Sequence, residues 1–441
     1  MENGFGDHSQ NDIENPSTPL VISLGLELEN LTPLSSKRSI YRVPGRLRVV
    51  NEKAYTPQVV SIGPLHHGKQ RLKAMEDDKK RYLSAYLKRT DVLLQYYIGF
   101  VQEKEAELRS CYAEPIGFSS DEFVKIVLVD ATFLIELLLR NYFREIQDDH
   151  DDHIFNKPWM LQDIWSDMQL LENQLPLFIL EDLFDPQRIS VPSYEGERLS
   201  IIKLSHDFFK KLMRFEATKD NLKCIPSSGV EHFVDFLRKI YVPLKPKSKE
   251  VKLKTFNIPS IMELHRAGVK FKASSNKNLF DIHFSEGILE IPKLTISDET
   301  ELTIRNLLAF EQCHYTDNYL NDYVVIIDRL VNTPKDVDLL VKYGIVENRL
   351  GDSSQGATLI NKLADGVTLD SNNFYFAEVS ENLCDYCRTS WHKWRANLQQ
   401  NYFHTPWAVV SVIAAVLLII LTIIQAVCSV ISVTVKDSPP H

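Results

Sequence analysis

The sequence predicts a mainly α (α+β) fold: a multi-helix globular domain with a small antiparallel β-sheet and one C-terminal transmembrane helix. Three observations carry this. Apolar residues recur at helical spacing through most of the chain, as in Leu83, Leu87, Leu94, Tyr97 and Val101. One region, "GVKFKAS", "LFDIHF", "GILEI" and "KLTI", alternates with period two and is punctuated by Gly287 and Pro292. From Trp407 to Val435 no residue is charged, which satisfies the roughly 20 apolar residues needed to cross a bilayer.

Taken in order, residues 1–38 are polar, Pro- and Ser-containing sequence, expected to form a disordered arm. A globular domain over 39–403 follows. It opens with "YRVPGRLRVVNEKAYTPQVVSIGP", whose Pro44, Pro57 and Pro64 each remove a backbone donor. Such a segment should wrap over the domain rather than form a central strand. Helical periodicity runs from about Lys69 to Glu107, and Ser119 with Glu122 forms a capping box for a helix that looks apolar nearly all round. Trp159–Asn173 predicts another helix, and Pro176 is placed to start "LPLFILEDLF". Helices also fit Arg198–Phe215 and Val230–Ile240. The Lys- and Pro-rich stretch 241–255 reads as an exposed linker between possible lobes 39–240 and 256–403. After the sheet, Asp298 and Glu301 signal a helix start, with further helices around Tyr319–Val331, Asp336–Val341 and Thr358–Ala364. "ENLCDYCRTSWHKWRANLQQNYF" should lead as a helix into the span, and 436–441 is a short polar tail.

The formal net charge of −9, from 59 acidic and 50 basic residues, argues against a nucleic-acid partner, because phosphate contacts need a concentrated basic face. The polar, acidic start lacks the basic and apolar regions of a cleavable signal. Six cysteines are sparse for 441 residues and suit reduced thiols. Arg388, Lys393 and Arg395 precede the apolar run, whereas Lys436 alone follows it, placing the large domain in the cytosol. The alternative, a plasma-membrane protein with its domain outside, has the single sequon Asn30-Leu31-Thr32 in its favour. The partners expected are therefore the bilayer, through the terminal helix, and other proteins.

Several long motifs occur together: "YRVPGRLRVVNEKAYTPQVVSIGPLHHG", "VDATFLIELLLR", "LLENQLPLFILEDLF", "AGVKFK", "FDIHFSEGILEIPKLTISDETE" and "RNLLAFEQC". From Ile40 to the terminal span the chain resembles the plant domain-of-unknown-function family 247, also called uncharacterised protein family 0481. The resemblance implies a single-span, mostly helical land-plant protein and implies no reaction. Some grass members are linked to pollen self-incompatibility, which suggests recognition.

Candidate chemistry centres on His66 and His67, residue types able to act as general base or metal ligand. No local His, Cys or carboxylate completes a metal set around them. Glu172, with Asn173 and Gln174 in "LLENQLP", and Glu311, with Gln312 in "AFEQC", stand among leucines and other apolar residues. They are either a carboxylate and carboxamide site or the hydrogen-bond frame of the domain. The run Asp148, Asp149, His150, Asp151, Asp152, His153 lacks the glycine and terminal glutamate of a calcium loop and reads as a solvated loop. Cys384 and Cys387 with His392 start like a zinc knuckle, but residue 397 is Asn. Neither Ser353 nor Ser354 in "LGDSSQG" has the flanking glycines of a nucleophile elbow. Asp130 and Glu136 are six apart on one helix, not a paired site. No cofactor motif is present. The expected role is recognition of a protein or other ligand, with a hydrolase or transferase of novel site as the alternative.

Overall fold

The computed structural model describes residues 18–29, 35–147, 152–189, 199–210, 229–243, 252–276, 278–388 and 406–436. The helix Ser120–Tyr142 is the axis of one helical group. Ser119 and Glu122 close the capping box, and nearly every residue from Phe123 to Asn141 is buried. It is buried all round because helices Ala74–Thr90, Leu94–Glu103, Leu177–Leu183 and Ile201–Lys210 pack about it. A second group surrounds Asp298–His314, with Phe233–Tyr241, Tyr319–Leu330 and Ser353–Leu363 as neighbours.

The helical run expected from Lys69 to Glu107 is divided into Ala74–Thr90, Leu94–Glu103 and Glu105–Ser110. Asp91 ends the first piece in the left-handed region, with φ 52, and donates its N–H to Leu87 O. Its apolar register resumes beyond the break, which is why periodicity alone joined the pieces.

The sheet is mixed rather than antiparallel. Strands β1 (Lys270–Ala273), β2 (His283–Ser285) and β3 (Ile288–Ile291) lie in the order β1-β3-β2, with β1 parallel and β2 antiparallel to β3. Glu286 and Gly287, both at positive φ, make the two-residue hairpin turn between β2 and β3. On the other edge of β3, β1 pairs in parallel, with Lys270 opposite Ile288. Strands β4 (Leu294–Ile296) and β5 (Val346–Asn348) form a separate parallel pair.

Two terminal expectations change. A helix, Thr18–Glu29, occupies part of the expected arm; Pro19 is tolerated in its first turn, and Leu20, Val21, Ile22 and Leu28 along it are exposed. The expected transmembrane helix over Trp407–Val435 is not supported: among the described residues no helix is long and apolar enough to cross a membrane. A helix is present over Pro406–Lys436. Most of the Lys/Pro linker, 244–251, lies outside the described residues.

The Pro-broken segment Ser39–His66 is threaded into the interior, with Ile40, Val43, Tyr55, Val60 and Ile62 all buried. An isolated parallel bridge joins Ile40 to Tyr112. Beyond it, side chains from other elements hold the backbone of this strap. Asn306 Nδ2 donates to Ala54 O at 2.7 Å, and His232 Nε2 lies 3.0 Å from Ser39 O. Buried backbone groups need partners, and here polar side chains supply them in place of a strand ladder.

Candidate functional site

The strap ends at the turn that carries the two histidines. Gly63 and Gly68 both adopt positive φ, and His67 N donates to Pro64 O at 3.3 Å. Tight reversal on either side of the pair sends His66 and His67 in different directions.

His66 is buried. Its Nε2 lies 3.4 Å from Glu172 Oε2, at ion-pair distance without hydrogen-bond alignment. Lys69 Nζ is 2.6 Å from Nδ1. A lysine ammonium donates, so Nδ1 accepts and the proton of the neutral ring sits on Nε2, facing the carboxylate. Burial pushes the imidazole below its ordinary range, and the adjacent Glu172 offsets part of that shift.

Glu172 is the centre of this cluster. Its Oε1 accepts from Val43 N at 2.7 Å and from Arg48, and its Oε2 accepts from Arg42 Nη1 at 3.2 Å. Burial works to raise its pKa, but His66, the Val43 N–H and Arg48 outweigh it and hold the carboxyl at about 2. It is a fixed anion.

Glu311 belongs to a different network. Arg238 Nε and Nη2 donate to its Oε1 at 3.1 and 2.9 Å, and Asn321 donates from N and Nδ2 to Oε2 at 2.9 and 2.7 Å. Arg238 also stacks 3.7 Å above the Tyr315 ring and reaches Asp317. Gln312 Nε2 donates to Asn321 Oδ1 at 2.6 Å. Among the described residues, Glu172 and Glu311 have separate sets of partners, so the structure joins His66 with Glu172 and leaves Glu311 apart.

The carboxamides beside Glu172 are frame. Asn173 Oδ1 accepts from Ile62 N at 2.8 Å while its Nδ2 donates to Val60 O at 3.0 Å, pairing with the strap as a strand residue would. Gln174 bonds Met168 O, Leu170 O and Phe233 N.

Sequence reasoning missed three groups that position this region. Asp167 accepts from the N–H groups of Gln58, Val59 and Val60 at 2.7 to 2.8 Å, yet burial still lifts its pKa to about 6. Asp130 accepts from Gly63 N at 2.8 Å and is paired with buried Lys79. The signal available for Asp130 was a carboxylate set among apolar residues of its helix, a setting it shares with Glu136. Asp152, expected in a solvated loop, is buried with Arg140 Nη1 at 2.8 Å and Tyr82 Oη at 2.9 Å. Asp148 to Asp151 lie outside the described residues.

His67 faces a different environment. Its ring meets Phe118 edge-on at 5.8 Å, and it lines a cavity of about 460 Å³. Its Nδ1 is buried with no hydrogen-bond partner among the described residues. A second cavity, of about 550 Å³, is lined by Cys384 and Cys387. The Cys384 thiol, 3.7 Å from Asn257 O, has its pKa raised by burial. His392 and Asn397 lie outside the described residues. Among the described residues no three His, Cys, Asp or Glu side chains are grouped to hold a metal ion. Ser353 begins the helix Ser353–Leu363 beside the N-cap Asp352 and bonds Asp338.

No solved structure matches the chain. Two curated Arabidopsis thaliana proteins do. The UPF0481 protein At3g47200 is 28% identical over 426 residues, covering 89% of this chain and 86% of the relative. The putative UPF0481 protein At3g02645 is 24% identical over 497 residues, covering 91% and 92%. The model of family DUF247, described as plant protein of unknown function, matches residues 40–421, most of the chain. The chain therefore belongs to the DUF247 family of plant proteins.

Proposed function

We infer that this protein is a binding module, recognising a protein or small ligand at its surface while its interior charges hold the fold. The observation that supports this reading is the state of the buried carboxylates. Glu172, Glu311, Asp130 and Asp167 are each engaged by cationic side chains or backbone N–H groups, or both. A catalytic acid or base must reach a substrate proton within about 2.6–3.2 Å or through one water, and a group enclosed by such partners does not. The test is an assay of the purified full chain, with His66→Ala and Glu172→Gln, against ester, phosphoester, peptide and glycoside substrates. No turnover is expected from any of the three proteins. A reaction abolished by either substitution would overturn the reading.

That outcome would favour the second reading, a hydrolase or transferase. Its support is the 3.4 Å approach of His66 Nε2 to Glu172 Oε2, the relation of a base to the carboxylate that orients it. In that case Nδ1 has to release Lys69 before it can accept a substrate proton.

A further inference from the structure

The cavity beside His67 lies between the histidine turn, helix Ala74–Thr90 and helix Ser120–Tyr142. Its volume of about 460 Å³ falls within the roughly 300–1,000 Å³ of small-molecule sites. One wall is apolar, built from Leu72, Phe118, Ile126 and Val129; Lys69, Lys73, Lys80 and Lys125 supply ammonium groups.

The acids that share the cavity already have partners. Glu76 and Asp130 flank the buried Lys79 ammonium at 2.6 and 2.5 Å. Asp77 lies 3.1 Å from Lys80, and Glu122 closes the cap of its own helix. Lys73 and Lys125 have no ion-pair partner among the described residues. His67 also lines the space, with its Nδ1 closed off from it. The first turn of helix Ala74–Thr90 borders the same space without a side-chain cap, adding the positive end of a helix dipole.

We propose that this cavity binds a small organic anion, with its apolar body against Phe118, Ile126 and Val129 and its negative group at Lys73 and Lys125. The proposal rests on the binding-module reading and names its ligand class. An apolar wall alone would take any hydrophobe, and lysines alone would take any anion. Their combination selects a molecule carrying both features, such as an aromatic or branched aliphatic carboxylate.

The experiment is calorimetric titration of the full chain with 2-naphthoate, beside its uncharged counterpart 2-naphthalenemethanol and inorganic phosphate. Naphthoate should bind, with affinity about tenfold weaker in Lys73→Glu/Lys125→Glu, as expected for loss of complementary charge. The alcohol should bind about tenfold or more weakly than naphthoate, and phosphate should compete poorly. Lys73 and Lys125 are exposed, so the unfolding temperature of the variant should match the parent; the single Lys125→Ala gives the same readout if the double variant does not fold. Binding unchanged by the lysine substitutions, equal binding of the alcohol, displacement of naphthoate by phosphate at equal concentration, or no binding at millimolar naphthoate would overturn the proposal. Failure of the binding-module reading would show separately, as turnover lost on Glu172→Gln.

Discussion

Lys79 and Asp130 form an ion pair inside the domain, Nζ to Oδ1 2.5 Å, and each partner also grips the strap. Lys79 donates to Ser61 O at 2.9 Å, and Asp130 accepts from Gly63 N at 2.8 Å. One pair of charges thereby fixes the two residues that lead into the histidine turn. Desolvating two ions costs several kcal/mol each, and these extra bonds to the backbone help offset it.

Lys79→Met leaves the buried Asp130 without a cation, and Asp130→Asn leaves the buried Lys79 with Glu76 alone. Lys79→Met or Asp130→Asn should each destabilise the domain by about 3–5 kcal/mol, measured by urea denaturation. The double variant Lys79→Met/Asp130→Leu should be closer to the parent than either single change, because no isolated charge remains. Additive losses would show that the two residues act independently.

Glycine substitutions at the turn should separate backbone strain from steric overlap. A Cβ at Gly68 meets nothing within 4 Å, so Gly68→Ala carries only the positive-φ penalty of about 1 kcal/mol. At Gly63 the same Cβ would sit 2.5 Å from Gln174 O and 3.0 Å from Tyr112 Oη. Gly63→Ala should therefore cost at least about 2 kcal/mol more than Gly68→Ala. Equal shifts in thermal unfolding would show that the Gln174 backbone yields.

Glu172 should make the protein acid-sensitive. Its folded pKa of about 2 lies below its ordinary value of 4.5, so its contribution is fully present above pH 4.5 and is lost as pH falls through about 2. At about 1.4 kcal/mol per unit the contribution is about 3 kcal/mol. Unfolding free energies of the parent and Glu172→Gln should differ most above pH 4.5 and converge as pH nears 2. Parallel curves would count against the Arg42, Arg48 and His66 environment as the source.

His232 and Asp167 should oppose each other between pH 4 and 6. Burial lowers His232 to about 4, against Asp235 and Ser39 O, so its contribution is present above its ordinary 6.5 and lost as pH falls through 4. Burial raises Asp167 to about 6, so its contribution is present below its ordinary 3.8 and lost as pH rises through 6. Asp167→Asn should steepen the fall in stability from pH 6 to 4, and His232→Gln should reverse its slope. Denaturant titrations at several pH values check both; unchanged slopes in the two variants would rule out either group as a source.

Local signals were readable where local chemistry decides the outcome. Ser119 with Glu122 marked its helix start because the capping box is built within four residues. Asp91 gave no comparable signal, since aspartate in the left-handed region looks like any other aspartate. Strand direction was not readable either: β1 pairs in parallel with β3 and not with β2, the next strand in sequence, which periodicity does not encode. The same limit governs the site. Glu172, Asn173 and Gln174 could be recognised as polar groups in an apolar setting, but Glu172 and Asn173 find partners on the strap, more than a hundred positions away at Val43 and Ile62, and Gln174 finds one at Phe233. Asp152 was indistinguishable from its acidic neighbours until Arg140 and Tyr82 were placed beside it.

The way the strap is held alters what a shortened chain would be. Glu172, Asp167, Asn173 and Asp130 all direct polar atoms at backbone between Val43 and Gly63. A version starting after His66 would leave four buried polar groups stranded together, each costing about 1–3 kcal/mol or more when charged. Against a total stability of about 5–15 kcal/mol, such a cut removes part of the interior scaffolding, and the remainder should not hold its shape.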